Sequence, residues 1–340
     1  MGAMEAYLYE SLDENRVKCN LCSHRCVIKD GRRGICGVRE NRAGTLNTLV
    51  YGNLIARHID PIEKKPLFHF LPGTLSYSIA TVGCNFRCRF CQNADIAQMP
   101  ADRKGAVIGD FSTPGEVVHA AEQGGCKSIA YTYTEPTVFF EFAYETARLA
   151  QAQGIRNVFV TNGYMTSEAL EMISPFLNAA NVDLKAFTDK YYKELCSARL
   201  KHVQATLKLM KSLNIFVEVT TLIVPGLNDN PSELKDLAAF IAEDLGPETP
   251  WHISRFHPTY KLTDRPPTPV KTIDEARQIG LNAGLKYVYT GNVPRNPGEN
   301  TFCYNCGETV IERWGFQVGK LLIKKGKCVK CGAAIDGVWE

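Results

Sequence analysis

The sequence predicts an α/β protein: a partial (β/α)6 barrel of the TIM type over residues 76–295, with a cysteine-bearing metal-binding region at 1–75 and a four-cysteine module of the zinc-ribbon or rubredoxin-like kind at 296–340. From residue 76 onward, short β-branched or aromatic runs alternate with capped helical stretches, the pattern of parallel βα units. Six such units over roughly 215 residues are fewer than the eight that close a TIM barrel, so the sheet is expected to stay open. All of the 13 cysteines except Cys126 and Cys196 fall into three tight groups: before the barrel, at its start and after it. Grouped thiols without an export leader point to metal in a reducing compartment rather than to disulfides.

The first group is Cys19-x2-Cys22-x3-Cys26-x9-Cys36, with His24 inside it. Its four thiolates suit either zinc or an auxiliary iron–sulfur cluster. Asp60 to Phe70 sets charges among large apolar residues with neither strand nor helix period, and reads as a solvated loop or, functionally, as a lid or substrate-facing segment. Strands are expected at Tyr77–Val82, Ile129–Tyr133, Arg156–Val160, Asn181–Leu184, Phe216–Val224 and Trp251–Phe256, with a seventh at Lys286–Thr290. Thr113-Pro114-Gly115-Glu116 and Thr272-Ile273-Asp274-Glu275 are capping boxes, in which hydroxyl and carboxylate satisfy the free N–H groups of a first turn. Asn230 caps a helix that has Pro231 at its first position, and Gly154 and Gly284 stand where helices end. Pro294-Arg295-Asn296-Pro297-Gly298 reads as a domain boundary. Beyond it, Cys303-x2-Cys306 and Cys328-x2-Cys331, each pair followed by glycine, close one tetrahedral site for zinc or a rubredoxin-type iron. Metal binding would supply most of the folding free energy of so short a segment. Met1-Gly2-Ala3, ahead of Met4, reads as a cloning remnant.

With 340 residues and 45% hydrophobic content, the chain can bury a full core and a further small module. A net charge of +3 gives no nucleic-acid or membrane signal, and no apolar run spans a bilayer. A cytoplasmic protein is expected. Cys126 and Cys196 read as ordinary buried thiols, with hydrogen-atom donation as the functional alternative.

Cys84-x3-Cys88-x2-Cys91 follows the first barrel strand, and ligands in such folds sit at the carboxyl ends of the strands. Three thiolates on one loop can hold three irons of a [4Fe-4S] cluster and leave the fourth open. Electron carriers normally take four thiolates, whereas a catalytic metal keeps an open position. Part of a zinc site is the alternative reading.

This spacing, with the aromatic Phe90 just before the last cysteine, resembles the signature of radical S-adenosylmethionine (SAM) enzymes. The resemblance implies that Cys84, Cys88 and Cys91 are the catalytic cluster ligands and that the free iron chelates SAM. Reductive cleavage of SAM then gives a 5'-deoxyadenosyl radical that abstracts hydrogen from a substrate. It further implies roles for particular residues. Glu135, in Tyr131-Thr132-Tyr133-Thr134-Glu135-Pro136, stands where relatives have Gly-Gly-Glu-Pro and would accept hydrogen bonds from the SAM ammonium, with Thr134 beside it. Because the glycines are replaced, Tyr133 and Thr134 must turn their side chains from the cofactor. A helix-opening Glu-Pro explains the same residues without SAM. Thr161 and Asn162 resemble ribose contacts, and Lys185 a carboxylate contact held by Asp183. Val160 stands where some relatives carry an Asp for a monovalent cation, which speaks against that cation here. His257 would touch SAM, whereas His252 points away in a structural role. Phe90 would pack on adenine, with Gln92 and Asn93 at its edges.

Residues 19–260 resemble the pyruvate formate-lyase activating enzyme branch. The fit is closest to the AmmeMemoRadiSam system radical SAM enzymes, on Cys19–Arg39, Asp60–Phe70, Cys84–Asn93, Tyr131–Pro136 and the terminal ribbon. That implies an oxygen-sensitive oxidoreductase or activase, a flavodoxin- or ferredoxin-like electron donor, and partners of the AMMECR and Memo types. The substrate is left open between a protein activated as glycyl-radical enzymes are, a small molecule and an RNA. A non-catalytic iron–sulfur electron carrier with zinc-stabilised ends is the reading from another class.

Overall fold

The structure is a computed structural model that describes residues 4–340; Met1, Gly2 and Ala3, read above as a cloning remnant, lie outside the described residues. Its centre is an eight-stranded sheet in linear order: β1 (Ala56–Pro61), β2 (Leu75–Ala80), β3 (Ser128–Tyr131), β4 (Arg156–Thr161), β5 (Ala179–Asp183), β6 (Phe216–Ile223), β7 (Trp251–Arg255) and β8 (Val288–Gly291). Strands β2 to β8 pair in parallel, each with its neighbour in sequence. Six helices return the chain between them: α1 (Pro114–Gln123), α2 (Phe140–Ala152), α3 (Ser167–Ile173), α4 (Leu200–Ser212), α5 (Pro231–Phe240) and α6 (Val270–Asn282). This is a partial (β/α)6 barrel with a seventh parallel strand, and among the described residues its two edges do not pair.

Side-chain caps set three of these six helix starts, at Thr113, Thr166 and Asn230. Thr113 Oγ1 accepts from Glu116 N at 3.2 Å and the Glu116 carboxylate accepts from Thr113 N at 2.7 Å, so the first capping box is complete. Asn230 Oδ1 accepts from Ser232 N at 2.8 Å ahead of α5. The second expected box does not form, because α6 starts at Val270, two residues before Thr272. Thr268 sets that start: its hydroxyl donates to Ile223 O at 2.6 Å and accepts from Phe256 N at 3.1 Å, fixing the chain on the strand ends before Pro269 opens the helix.

Strand β1 runs antiparallel to β2, from Ala56 opposite Ala80 to Pro61 opposite Leu75, within a stretch where the sequence shows little periodicity. The Asp60–Phe70 segment is largely buried rather than a solvated loop or a lid, and Glu63, Pro66 and Phe68 face a cavity, as a substrate-facing segment would. Ile62, Glu63, Lys65, Leu67, His69 and Phe70 are buried, and Ile62, Leu67 and Phe70 fill the barrel near the starts of its strands against Ala130, Val158, Ala179 and Phe216. The four-cysteine ribbon shares this end. Phe68, Tyr287 and Tyr289 form one apolar cluster with Cys303, Val310, Ile311 and Cys328. Arg313 of the ribbon strand Thr309–Trp314 reaches inside, donating to Phe68 O and Thr301 Oγ1, both at 2.7 Å. Among the described residues no helix is long and apolar enough to cross a membrane.

Candidate active site

The loop after β2 carries Cys84, Cys88 and Cys91, at the carboxyl end of the sheet. It is held by the protein rather than left slack. Arg87 N and Arg89 N donate to the carbonyls of Cys196 and Leu195 at 2.9 and 3.0 Å. Arg87 Nη1 donates to Cys84 O, Phe86 O and Gln98 Oε1, between 3.1 and 3.2 Å. Gly83 has φ +100°, and a Cβ there would lie 2.7 Å from Val38 Cγ1 and 3.2 Å from Cys36 O, so only glycine lets the loop press onto the N-terminal region.

The donor set fits a cluster better than a single ion. Tetrahedral zinc with Zn–S of about 2.3 Å requires thiolates about 3.8 Å apart. Cys303···Cys331 at 3.6 Å and Cys306···Cys328 at 3.8 Å meet that requirement, and all four ribbon ligand atoms lie within 4.8 Å of one another. Among the described residues no such compact group includes Cys84, Cys88 or Cys91. The Cys84 thiol is pushed well up by burial and then by the Glu135 charge; that of Cys88 is raised by hydrogen bonding to Cys196 and by burial. Deprotonation there has to come from a bound metal.

Around this loop the structure gathers most of the expected SAM contacts. Lys185 Nζ pairs with Asp183 Oδ2 at 2.8 Å and stands 5.9 Å from the centre of the Phe90 ring. Burial opposes its charge, but Asp183 and the thiols of Cys88 and Cys196 hold the lysine well above its usual range. Asn162 Nδ2 donates to Asn85 Oδ1 at 2.7 Å and lies 3.8 Å from Cys84 Sγ. Asn93 Nδ2 donates to Tyr133 O at 2.7 Å, and Thr134 Oγ1 to Thr81 O at 2.8 Å. Phe90 is 3% exposed, and its ring packs at a tilt against Tyr191.

Glu135 corrects the expectation. Its carboxylate is 1% exposed and accepts from Thr137 N, Thr137 Oγ1, Thr161 Oγ1 and Asn162 N between 2.6 and 3.1 Å. It opens the turn Pro136–Phe139 and ties the loops after β3 and β4 together, so no open carboxylate faces an ammonium and the Thr161 hydroxyl is spent on it. Tyr133 does turn away: its hydroxyl donates to Asp60, and Lys65 Nζ lies 4.5 Å from its ring centre.

A cavity of about 960 Å³ opens beside the loop. Gln92 and His257 lie on its wall, Glu63, Phe68 and His252 line it deeper in, and Trp314, Gly315 and Phe316 of the ribbon hairpin border it. His252 therefore faces the cavity rather than away from it, with Nε2 2.6 Å from Glu218 Oε2 and its ring stacked on Tyr289. Apart from the substrate-facing reading of Asp60–Phe70, which contains Glu63, this inward-facing set is not legible in sequence, because Glu63, Glu218, His252, Tyr289 and Arg313 come from five separate segments. Cys196 is buried as expected, and beyond that expectation it neighbours Cys88 at the end of a wide helical turn at Tyr192–Cys196.

Residues 78–241 match the radical SAM superfamily model. An uncharacterised protein of Methanocaldococcus jannaschii is 49% identical over 98% of both chains. The pyruvate formate-lyase-activating enzyme of Clostridium pasteurianum is 22% identical, covering 60% of this chain and 87% of that protein. Streptococcus suis SuiB bound to S-adenosylmethionine superposes with a TM-score of 0.52 at 12% identity, over 68% of this chain and 53% of that one. A radical SAM methyltransferase of Sphaerobacter thermophilus superposes with a TM-score of 0.51 at 19% identity, over 70% and 72% of the two chains. The open barrel, the three-thiol loop at its carboxyl end and these likenesses agree: the chain belongs to the radical SAM superfamily, in a branch that resembles the pyruvate formate-lyase activating enzymes.

Proposed function

We propose that this protein cleaves SAM by one-electron reduction at a [4Fe-4S] cluster on Cys84, Cys88 and Cys91, and that the 5'-deoxyadenosyl radical takes hydrogen from a segment of a partner protein inserted into the cavity. The observation that carries the reading is the three-thiol loop, pinned by backbone hydrogen bonds and flanked by the Lys185–Asp183 pair. Lys185, fixed by Asp183, orients the SAM carboxylate as a point charge. Asn162, Asn93, Gln92 and His257 supply the remaining polar contacts. Phe90 and Tyr191 keep water from the reacting end.

Two features favour a protein substrate. Relatives are named as activating enzymes, among them the isethionate sulfite-lyase activating enzyme of Nitratidesulfovibrio vulgaris, 26% identical over 46% of this chain. Trp314 and Phe316, 61% and 50% exposed at the cavity border, are the kind of apolar anchors that dock a macromolecule. Partners of the AMMECR and Memo types are the candidates that the sequence resemblance supplies. The electron comes from a flavodoxin- or ferredoxin-like donor, and zinc occupies the ribbon. A small-molecule substrate is the second reading, favoured by a cavity volume within the range of about 300–1,000 Å³ usual for such ligands.

The test is anaerobic reconstitution, dithionite reduction and assay for 5'-deoxyadenosine and methionine. Wild type should release both and Cys88→Ala neither. Release of neither by a wild type loaded with iron and sulfide would sink the proposal. With a deuterated partner protein, the label should enter 5'-deoxyadenosine, and Trp314→Ala/Phe316→Ala should cut that transfer at least tenfold. Transfer from a small metabolite that is indifferent to those substitutions selects the second reading.

A further inference from the structure

We infer that Cys19, Cys22, Cys26 and Cys36 hold a second [4Fe-4S] cluster, and that this cluster delivers the electron to the catalytic loop. Zinc and iron–sulfur are separable here by spacing. The ribbon thiols draw together as a tetrahedral ion needs, but among the described residues no three of these four lie within 4.8 Å of one another. They instead surround a pocket walled by Leu21, Ile28, Ile35 and Val138, the wider and drier enclosure that a cubane with its inorganic sulfides fills.

Arg39 places a cation at the same pocket. Its side chain is 2% exposed and pairs with Glu141 through Nη2. A cation beside the site would offset the negative charge of four thiolates and ease reduction.

The two metal loops are in direct contact. The Cys36 carbonyl lies against Gly83, the residue before Cys84, close enough that a Cβ there would sit 3.2 Å away. His24 Nε2, between Cys22 and Cys26, is 2.8 Å from Asn85 O, the residue after Cys84. Arg87 donates to the carbonyl of Ile35. Electron transfer therefore has short paths of bonds and one or two contacts from the first set of thiols to the second. Val27 and Ile35, exposed at the outer side, leave the N-terminal site near solvent on the side where a donor can approach. The ribbon is badly placed for this task, since its thiols sit by Tyr287, just before β8, at the opposite end of the strands. The step is one electron: a reduced flavodoxin- or ferredoxin-class donor reduces the N-terminal cluster from [4Fe-4S]2+ to [4Fe-4S]+, and reoxidation of that cluster reduces the catalytic one by the same electron. No proton or bond changes hands.

The relay rests on the proposed catalytic cluster; the metal identity at the N-terminal site does not. Mössbauer spectroscopy and metal analysis of the anaerobically prepared full chain should find two [4Fe-4S] clusters and one zinc. Dithionite reduction should give two paramagnetic signals, only one of which shifts on adding SAM. Cys22→Ala/Cys26→Ala should remove the SAM-insensitive signal and about half the iron. Reduction of the SAM-sensitive signal by reduced flavodoxin, followed by rapid freezing, should slow at least tenfold in that variant. Two zinc ions and a single SAM-sensitive signal in the wild type overturn the cluster, and this needs no variant to fold. An unchanged reduction rate overturns the relay, whereas loss of the SAM-sensitive signal from the wild type would count against the proposed function instead.

Discussion

Glu135 shows how a residue can sit at the place a family motif assigns and do different work there. Four donors converge on one buried carboxylate, and burial still leaves its pKa above the usual range. Glu135→Gln turns an amide toward some of those donors, so it should cost about 1–3 kcal/mol of stability, read from denaturant midpoints. The affinity for SAM should stay within about threefold, because the lost contacts join two loops. A tenfold weaker SAM affinity with an unchanged midpoint would restore the ammonium contact. The neighbouring Tyr133 has φ +61°, a conformation that glycine adopts freely and tyrosine does not. Its hydrogen bond to Asp60 and the stacked Lys65 hold it there. Asp60, despite burial, is kept well below the carboxylate range by Lys64, Lys65 and Tyr133. The sequence indicated that Tyr133 must turn away from the cofactor. It could not indicate what it turns toward, because Asp60 lies 73 residues earlier.

Among elements, legibility followed burial. Strands β3 and β5 are covered on both faces and read as near-continuous apolar runs, such as Ser128-Ile129-Ala130-Tyr131. Strand β1 reads Ala-Arg-His-Ile-Asp-Pro, with Arg57, His58 and Ile59 outward on an edge and a buried Asp60 neutralised by lysines. Nothing in that local pattern says strand, since it is pairing with β2 that makes it one. The ribbon was legible as a metal module from its two cysteine pairs, but its dependence on the barrel was not. Arg313 shows that dependence: its side chain is fully buried and its guanidinium lies 4.2 Å from the Phe68 ring centre. Glu63 stands 4.0 Å away. Arg313→Met would leave the Phe68 carbonyl without its donor and the buried Glu63 without its neighbouring cation, at a cost of about 3 kcal/mol. Hydrogen exchange should quicken in both Thr309–Leu321 and 62–71. Faster exchange in the ribbon alone would mean that it folds independently of the barrel.

Across the whole molecule, the strands' amino ends are closed from within by segment 62–71 and the ribbon, and His69 lies where these meet. Its Nδ1 contacts Asp336 O and its Nε2 the Tyr289 hydroxyl, while its backbone N–H donates to Glu218 Oε1 at 2.8 Å. A carbonyl can only accept, so Nδ1 carries the proton and Nε2 is free to accept from tyrosine: the ring is neutral in the fold. Burial, acting against the Glu218 charge, depresses its pKa from 6.5 to about 4. The unfolded chain therefore binds more protons than the folded one between those values, and stability must fall as pH drops through that window. From pH 7 to pH 5 the loss from this residue should be about 2 kcal/mol. His69→Asn retains a donor toward Asp336 and removes the titration, so it should be less stable than wild type at pH 7 but lose less on acidification. Parallel urea denaturations of both proteins at the two pH values measure the difference. An equal acid loss in both would show that the sensitivity lies elsewhere and that this junction tolerates a charged imidazole.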